Sequence, residues 1–152
     1  MTFDTTPNGT RGARQPGAMN NLPNKLMMRR IRKGGRVVGL DALVLTTVGR
    51  QSGKVRETPV ACFPGGSGRW LVVASAGGAQ RNPAWYYNLA GHPDQVQVET
   101  ASGKVAVTAE QLSGPERDEA WKEITAAAPR FAGYQSKTDR EIPVIRLTPQ
   151  VS

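Results

Sequence analysis

The chain has little of the chemistry that most enzymes rely on. Its 152 residues hold one cysteine, Cys62, and one histidine, His92. A lone cysteine excludes an internal disulfide and a multi-cysteine metal site, and fits a reducing, cytoplasmic compartment. With a single histidine and no nucleophile motif, neither a histidine-cluster metal centre nor a nucleophile triad is expected, so no metal is assigned. No run of about 18 apolar residues is present to span a membrane, and the N-terminus lacks a charged-then-apolar leader pattern, so a soluble protein is expected. Aromatic residues are sparse at three each of Phe, Trp and Tyr. With no helix-turn-helix or zinc motif either, a nucleic-acid partner is not expected. There is no Gly-x-Gly-x-x-Gly opening a βαβ unit and no P-loop, which disfavours dinucleotide and nucleoside triphosphate binding.

What the chain does have is unevenly placed charge. The formal net charge is +8, but residues 1–36 hold eight Lys and Arg against Asp4 alone, so the remaining body is nearly neutral. Residues 1–23 are rich in Thr, Asn, Gly, Pro and Arg and read as a flexible N-terminal arm. Residues 24–152 read as a single domain. From Asn24 to Lys33, Leu26, Met27, Met28 and Ile31 interleave with basic residues, the pattern of a short amphipathic helix ended by Gly34-Gly35.

Strands are expected over Asp41–Thr47, over Val55–Phe63 with an interruption at Pro59, and over Arg69–Ser75. Gln95–Thr100 and Lys104–Glu110 alternate cleanly and form a hairpin with Val96 and Val98 facing Val105 and Val107. Pro143–Leu147 is a closing strand. Asn82 as N-cap with Pro83 at the first helical position and Gly91 past the end predicts a helix over Ala84–Ala90. Ser113 and Glu116 form a capping-box pattern for a helix to about Ala127 with Ala120, Trp121 and Ile124 on one face. Residues 130–138 fit either a helical turn or an irregular loop. About six short antiparallel strands with peripheral helices make a mainly β, α+β domain, a barrel or split barrel.

Two blocks carry donor types suited to an anionic ring cofactor. In Gly49-Arg50-Gln51-Ser52-Gly53, unpaired turn N–H groups, the Ser52 hydroxyl and the Arg50 guanidinium are phosphate donors, and Arg56 follows on the next strand. An ordinary hairpin turn with exposed arginines has the same composition. In the second block, the small residues of Val73-Ala74-Ser75-Ala76-Gly77-Gly78 at a strand end admit a flat ring, and the helix start after Asn82-Pro83 favours an anion. A plain strand-to-helix loop with Trp85 and Tyr86 in the core fits the same residues.

The segments Leu45-Thr46-Thr47-Val48-Gly49-Arg50-Gln51-Ser52-Gly53, Ser75-Ala76-Gly77-Gly78, Asn82-Pro83-Ala84-Trp85-Tyr86-Tyr87-Asn88-Leu89 and Tyr134-Gln135-Ser136-Lys137-Thr138-Asp139-Arg140-Glu141-Ile142-Pro143, in this order, resemble the deazaflavin-dependent nitroreductase family of actinobacteria. The resemblance covers about Asn24 to Leu147. It implies a split β-barrel like that of flavin-binding oxidoreductases, coenzyme F420 (an 8-hydroxy-5-deazaflavin with a phosphodiester and oligoglutamate tail) as cofactor, and hydride transfer to a quinone, enone or nitro compound. Carried over onto this chain, Arg50, Gln51, Ser52 and Arg56 hold the phosphate and tail. Glu57, Thr58, Pro59, Val60 and Ala61, with Val73, Ala74, Ser75, Ala76, Ala84, Trp85, Tyr86, Tyr87, Asn88 and Phe131, surround the cofactor. Tyr134 and Ser75 are the candidates for polarising the acceptor.

The family's nitroreductase members ring the substrate with tyrosines, where this chain has Ala61, Ala128 and Phe131 and keeps only Tyr134. Lys137 and Ala76 replace a tryptophan and a lysine. The resemblance therefore implies a quinone or another flat enone-like acceptor ahead of bulky nitroimidazoles. Two other readings stand beside it: an FMN-binding split-barrel protein, and a non-catalytic module that binds anionic membrane through the basic N-terminal helix. Peripheral contact with the inner face of the cell membrane is also compatible with the enzyme.

Overall fold

The structure, a computed structural model, describes residues 3, 5–12, 22–36 and 39–150, with the side chains of 22 and 23 outside that description. Six strands, β1 (Ala42–Val48), β2 (Val55–Pro64), β3 (Trp70–Val73), β4 (Val96–Thr100), β5 (Gly103–Gln111) and β6 (Val144–Pro149), close into an antiparallel barrel in the order β1-β2-β3-β6-β5-β4. Pairing of β4 with β1 closes the ring. The β4–β5 hairpin has the expected register, Val96 opposite Val107 and Val98 opposite Val105.

The strand period of two decides what fills the barrel. Leu43, Leu45, Val72, Val98, Val107, Ile145 and Leu147 are fully buried in one cluster, with Tyr86 and Leu89 from helix α2 (Ala84–Gly91). Each such aliphatic side chain contributes about 1.5–3 kcal/mol by leaving water. The alternate residues face outward into two further clusters. Val44 packs under Met28 and Ile31 of α1 (Leu22–Arg32). Phe63, Leu71, Val73 and Val144 pack under Ala120 and Ile124 of α3 (Gly114–Ala127) and Phe131 of α4 (Arg130–Lys137). Residues 130–137 are thus a helix, not a loop, and Trp121 is only half-buried at its edge.

Strand β2 runs through Pro59, which lies opposite Val44, where an interruption was expected. The reason is an opening in the wall. Strand β3 pairs with β2 only from Cys62 to Pro64, so residues 55–61 have a ladder on the β1 side alone. A proline is tolerated where one edge of a strand carries no ladder. This split in the barrel positions the site.

Two expected caps are not formed. Asn82 is buried and turned toward the body of the protein, leaving extended Pro83 as the N-cap of α2 without a side-chain bond; Gly91 lies inside that helix and His92 caps it. Ser113 is the N-cap of α3 but makes no side-chain cap bond, and Glu116 instead pairs with Arg146 at 2.7 Å. A guanidinium is the stronger partner for that carboxylate.

The expectation of a flexible arm over residues 1–23 falls partly outside the described residues. Within them, residues 3 and 5–12 lie along the body as a strap. Phe3 packs on Tyr86 at 5.8 Å between ring centroids. The Thr6 N–H donates to Tyr86 Oη at 2.9 Å and the Gly9 N–H to the Gln80 carbonyl at 2.9 Å. Asp139 accepts from the Thr10 and Arg11 N–H groups at 2.7 and 3.2 Å and from the Thr10 hydroxyl.

Candidate cofactor and substrate site

The open stretch of β2 forms one side of a groove made of two adjoining cavities. The larger, of about 580 Å³, is lined by Arg50, Gln51, Ser52, Arg56, Glu57 and Thr58, with Ala84, Trp85, Tyr87 and Asn88 from α2 opposite. The smaller, of about 250 Å³, is lined by Pro59, Val60 and Ala61, by Val73, Ser75 and Ala76, and by Trp85, Phe131 and Tyr134. Trp85 lines both and marks their junction. One end is therefore charged and polar, and the other is walled by small and aromatic side chains.

The charged end is built on the β1–β2 turn. The Gly49 N–H donates to the Lys54 carbonyl at 2.8 Å and the Gly53 N–H to the Gly49 carbonyl at 2.9 Å. The Lys54 N–H donates to Ser52 Oγ, and the Arg50 N–H donates to Asn88 Oδ1 at 3.1 Å. Most turn N–H groups are thus spent inside the protein, contrary to the expectation of free donors, because a tight turn satisfies its own backbone first. Arg50 and Arg56 both line the larger cavity with side chains that can donate to an anion. Arg56 sits opposite Thr47 in the β1–β2 ladder, so the two arginines flank one turn. Arg32 from α1 engages Glu57 at 2.9 Å and Glu99 at 2.7 Å. The bond to Glu99 leads in holding its guanidinium above its ordinary pKa. Glu57 is thereby paired at the groove's rim.

The ring-sized end is built on the turn after β3. Ala76 adopts a left-handed φ of 46°, and Gly77 and Gly78 follow at 66° and 83°. The left-handed alanine costs about 1 kcal/mol, a strain concentrated at the cavity wall. Gly78 permits a close approach: a Cβ there would stand 2.5 Å from the Tyr134 carbonyl oxygen. The turn and α4 approach closely there, and Tyr134 and Ser75 line the same cavity. Phe131 and Tyr134 pack edge to face at 5.3 Å, and the Lys137 ammonium lies 5.8 Å from the Tyr134 ring.

The groove gathers most of the residues expected from the sequence, and leaves out three. Ala74 is fully buried in the barrel cluster, since it follows Val73 with the opposite facing. Tyr86 is likewise inside the barrel, its hydroxyl donating to Gln111 Oε1 at 2.5 Å. Ala128 belongs to the cluster beneath α3 and does not line the smaller cavity. Sequence reading missed Leu40 and Arg130 in the smaller cavity and Asn24 in the larger. It also missed Arg140, which is 2% exposed and supports the wall from behind. Its position within Asp139-Arg140-Glu141 reads as a solvated charge, and nothing local reveals its burial.

A groove pairing arginine donors with a flat, small-residue slot suits an anionic ring cofactor, and the comparison with known proteins decides which kind. The model of the F420H(2)-dependent quinone reductase family matches residues 24–149. The chain belongs to that family. It is 36% identical over 121 residues to an F420H(2)-dependent quinone reductase of Mycobacterium tuberculosis (strain H37Rv), covering 77% of this chain and 80% of that protein. Among solved structures, an F420-H2 dependent reductase (FDR-A) superposes with a TM-score of 0.63 at 38% identity, covering 70% of this chain and 92% of that one. The heme storage protein HutZ of Vibrio cholerae superposes at 0.55 with 14% identity over 88% of this chain and 93% of its own, a likeness of fold alone. The split-barrel fold and the family read from the sequence agree with these matches. The strap at residues 3 and 5–12 lies outside the matched segment.

Proposed function

We propose that this chain is a coenzyme F420H2-dependent reductase that passes a hydride to a flat, electron-poor acceptor of the quinone type. The observation that carries it is the junction at Trp85 of an arginine-lined cavity with a ring-sized one, in a chain of this family. The donor set fits the cofactor. Arg50 and Arg56 hold its phosphate and acidic tail by charge-assisted bonds, with Gln51 and Ser52 beside them. Pro59, Val60, Ala61, Val73 and Ala76 leave room for the ring, and Trp85 walls it. Reduced deazaflavin bound there supplies the hydride from its C5 carbon.

The protein's own tasks are to fix two flat molecules face to face, to exclude water, and to hold a proton at the acceptor oxygen. Tyr134 and Ser75 carry the candidate hydroxyls in the smaller cavity for that proton. The cavity's walls also bear on the acceptor. Ala61, Ala76 and Phe131 line it without hydroxyls, so Tyr134 and Ser75 supply its side-chain hydroxyls, and a quinone needs one donor at its carbonyl oxygen.

Fluorescence titration of the purified protein with oxidised F420 and separately with FMN tests the reading. Tight F420 binding that Arg50→Ala together with Arg56→Ala abolishes, with weak FMN binding, is expected; a preference for FMN would replace it with the flavin-binding reading.

The α1 helix supports peripheral contact of this enzyme with an anionic membrane. Leu26 is 59% exposed beside Lys25, Arg29 and Arg30, and Asn24 of the same helix lines the larger cavity. Ile31 of the same helix is buried against Val44 and is not available to an interface. Among the described residues no helix is long and apolar enough to cross a membrane. Sedimentation with anionic but not neutral vesicles, weakened by Leu26→Asp, is the expected behaviour; an unaltered distribution with anionic vesicles removes this role.

A further inference from the structure

The buried guanidinium of Arg140 joins the two ends of the groove. Its Nη2 donates to the Ser75 carbonyl at 2.9 Å and its Nη1 to the Ala74 carbonyl at 3.0 Å, so it holds the strand end that walls the smaller cavity. Its Nε donates to the Ala79 carbonyl at 3.1 Å, closing the far side of the same turn. Nη1 also donates to Asn82 Oδ1 at 2.6 Å. None of these acceptors is a carboxylate. Burial pushes the Arg140 pKa down, although the charge persists because an arginine stays protonated in proteins.

From Asn82 the connection continues to the charged end. Asn82 Nδ2 donates to Tyr87 Oη at 3.2 Å, and the Arg50 guanidinium carbon lies 4.6 Å above the Tyr87 ring. A fork with fixed planar donors is suited to such a node, since a single ammonium cannot span acceptors on both sides of a turn. Asn82 is oriented by the same bonds: it accepts from Arg140 through its oxygen and donates through its nitrogen to Tyr87 and to the Thr6 carbonyl.

We propose that Arg140 is a positioning residue that sets the ring end and the anion end of the groove as one unit, directly through Ala74 and Ser75 and indirectly through Asn82 and Tyr87 to Arg50. The inference rests on the reading of the groove as a deazaflavin site. It assigns Arg140 no contact with the cofactor. Its role is to keep the spacing between slot and arginines matched to a ligand that occupies both.

The test uses the full chain and two probes, F420 and the phosphate-free 8-hydroxy-5-deazariboflavin, each followed by fluorescence quenching. Arg140→Lys keeps the charge but loses the fork, and it should melt cooperatively while binding both probes about tenfold or more weakly. A merely structural role predicts affinity restored wherever stability is. Tyr87→Phe keeps the ring beneath Arg50 but cuts the bonds of its hydroxyl to Asn82 and to Asn8 Oδ1, and should weaken F420 several-fold while leaving the phosphate-free probe unchanged. Should Arg140→Lys fail to fold, Tyr87→Phe decides alone: an equal effect on both probes, or on neither, overturns the coupling. Wild-type affinities in Arg140→Lys overturn the inference while leaving the cofactor reading intact. A wild-type protein that binds neither probe overturns both.

Discussion

Arg50 lies over the face of Tyr87, 4.6 Å from its ring centroid, while its own backbone N–H is tied to Asn88 Oδ1. Backbone and side chain of this one residue are therefore both held by helix α2. A guanidinium fixed in this way loses little further entropy on meeting a phosphate. Replacing Arg50 by Ala is expected to cost roughly 2–3 kcal/mol of F420 affinity, within the range for a hydrogen bond to a charged group. Arg50→Lys should recover only part of it, because an ammonium lacks the planar face that stacks on Tyr87. Equal affinities for the Lys variant and the wild type, read by fluorescence titration, would contradict the stacking role.

The approach of Gly78 to Tyr134 makes a second expectation. A methyl at Gly78 would press on the Tyr134 carbonyl from a backbone at φ 83°, so Gly78→Ala carries both a steric and a conformational penalty. It should lower stability by about 1–3 kcal/mol. It should also push α4 outward, raising KM for the acceptor more than for the cofactor. By contrast, Ala76→Gly relieves a left-handed alanine and should stabilise by up to about 1 kcal/mol. Thermal melts of the two variants moving in the same direction would contradict the turn geometry.

The difference between what the sequence revealed and what it hid follows the range of the interactions. Strand alternation is local, so the β4–β5 register could be anticipated, Val96 opposite Val107 and Val98 opposite Val105. Pro59 argued for a break because local reading assigns a strand two partners, and the open edge of β2 exists only once β3 has paired near Pro64. Asn82 has the right identity for an N-cap, but a buried guanidinium 58 positions away claims its oxygen. Arg140 itself was invisible for the same reason, as its backbone acceptors lie 61 to 66 residues away. The composition of residues 3–12 suggested an arm, and nothing in that composition encodes the complementary surface of Tyr86, Gln80 and Asp139.

Cys62 lines the barrel wall at 9% exposure, and burial leads in pushing its thiol up to about 11, with the nearby Asp41 charge adding to the shift. Only the thiolate reacts, so at pH 8 the native protein should be modified by an aromatic disulfide reagent about a hundredfold more slowly than the same protein in denaturant. The native thiol resists ionisation, so its contribution to stability is full below the ordinary thiol pKa of 9.0 and is lost as pH rises toward 11. Alkaline melts should show that decline, and Cys62→Ala should flatten it. Rapid modification of the folded chain would place Cys62 outside the wall.

Asp139 ties the N-terminal strap to the end of α4, and its titration reports whether the strap is docked. The Thr10 hydroxyl bond leads in holding the carboxyl at about 2, below its ordinary 3.8, with the Thr10 and Arg11 N–H groups adding to it. A depressed carboxylate favours the docked form at any pH above the ordinary value, and that preference is lost as pH falls toward 2. The Gly9 and Thr10 amide resonances of the full chain should accordingly shift with a midpoint near 2. Thr10→Val removes the leading bond and should move the midpoint back toward 3.8. Because the strap also binds Asn82 and Tyr86, its release at low pH should loosen α2 and weaken F420 binding before the barrel itself unfolds. An Asp139 midpoint at the ordinary value in the unaltered chain would mean that residues 3–12 do not rest on α4 in solution, and the acid-weakened binding would then have to originate in the groove.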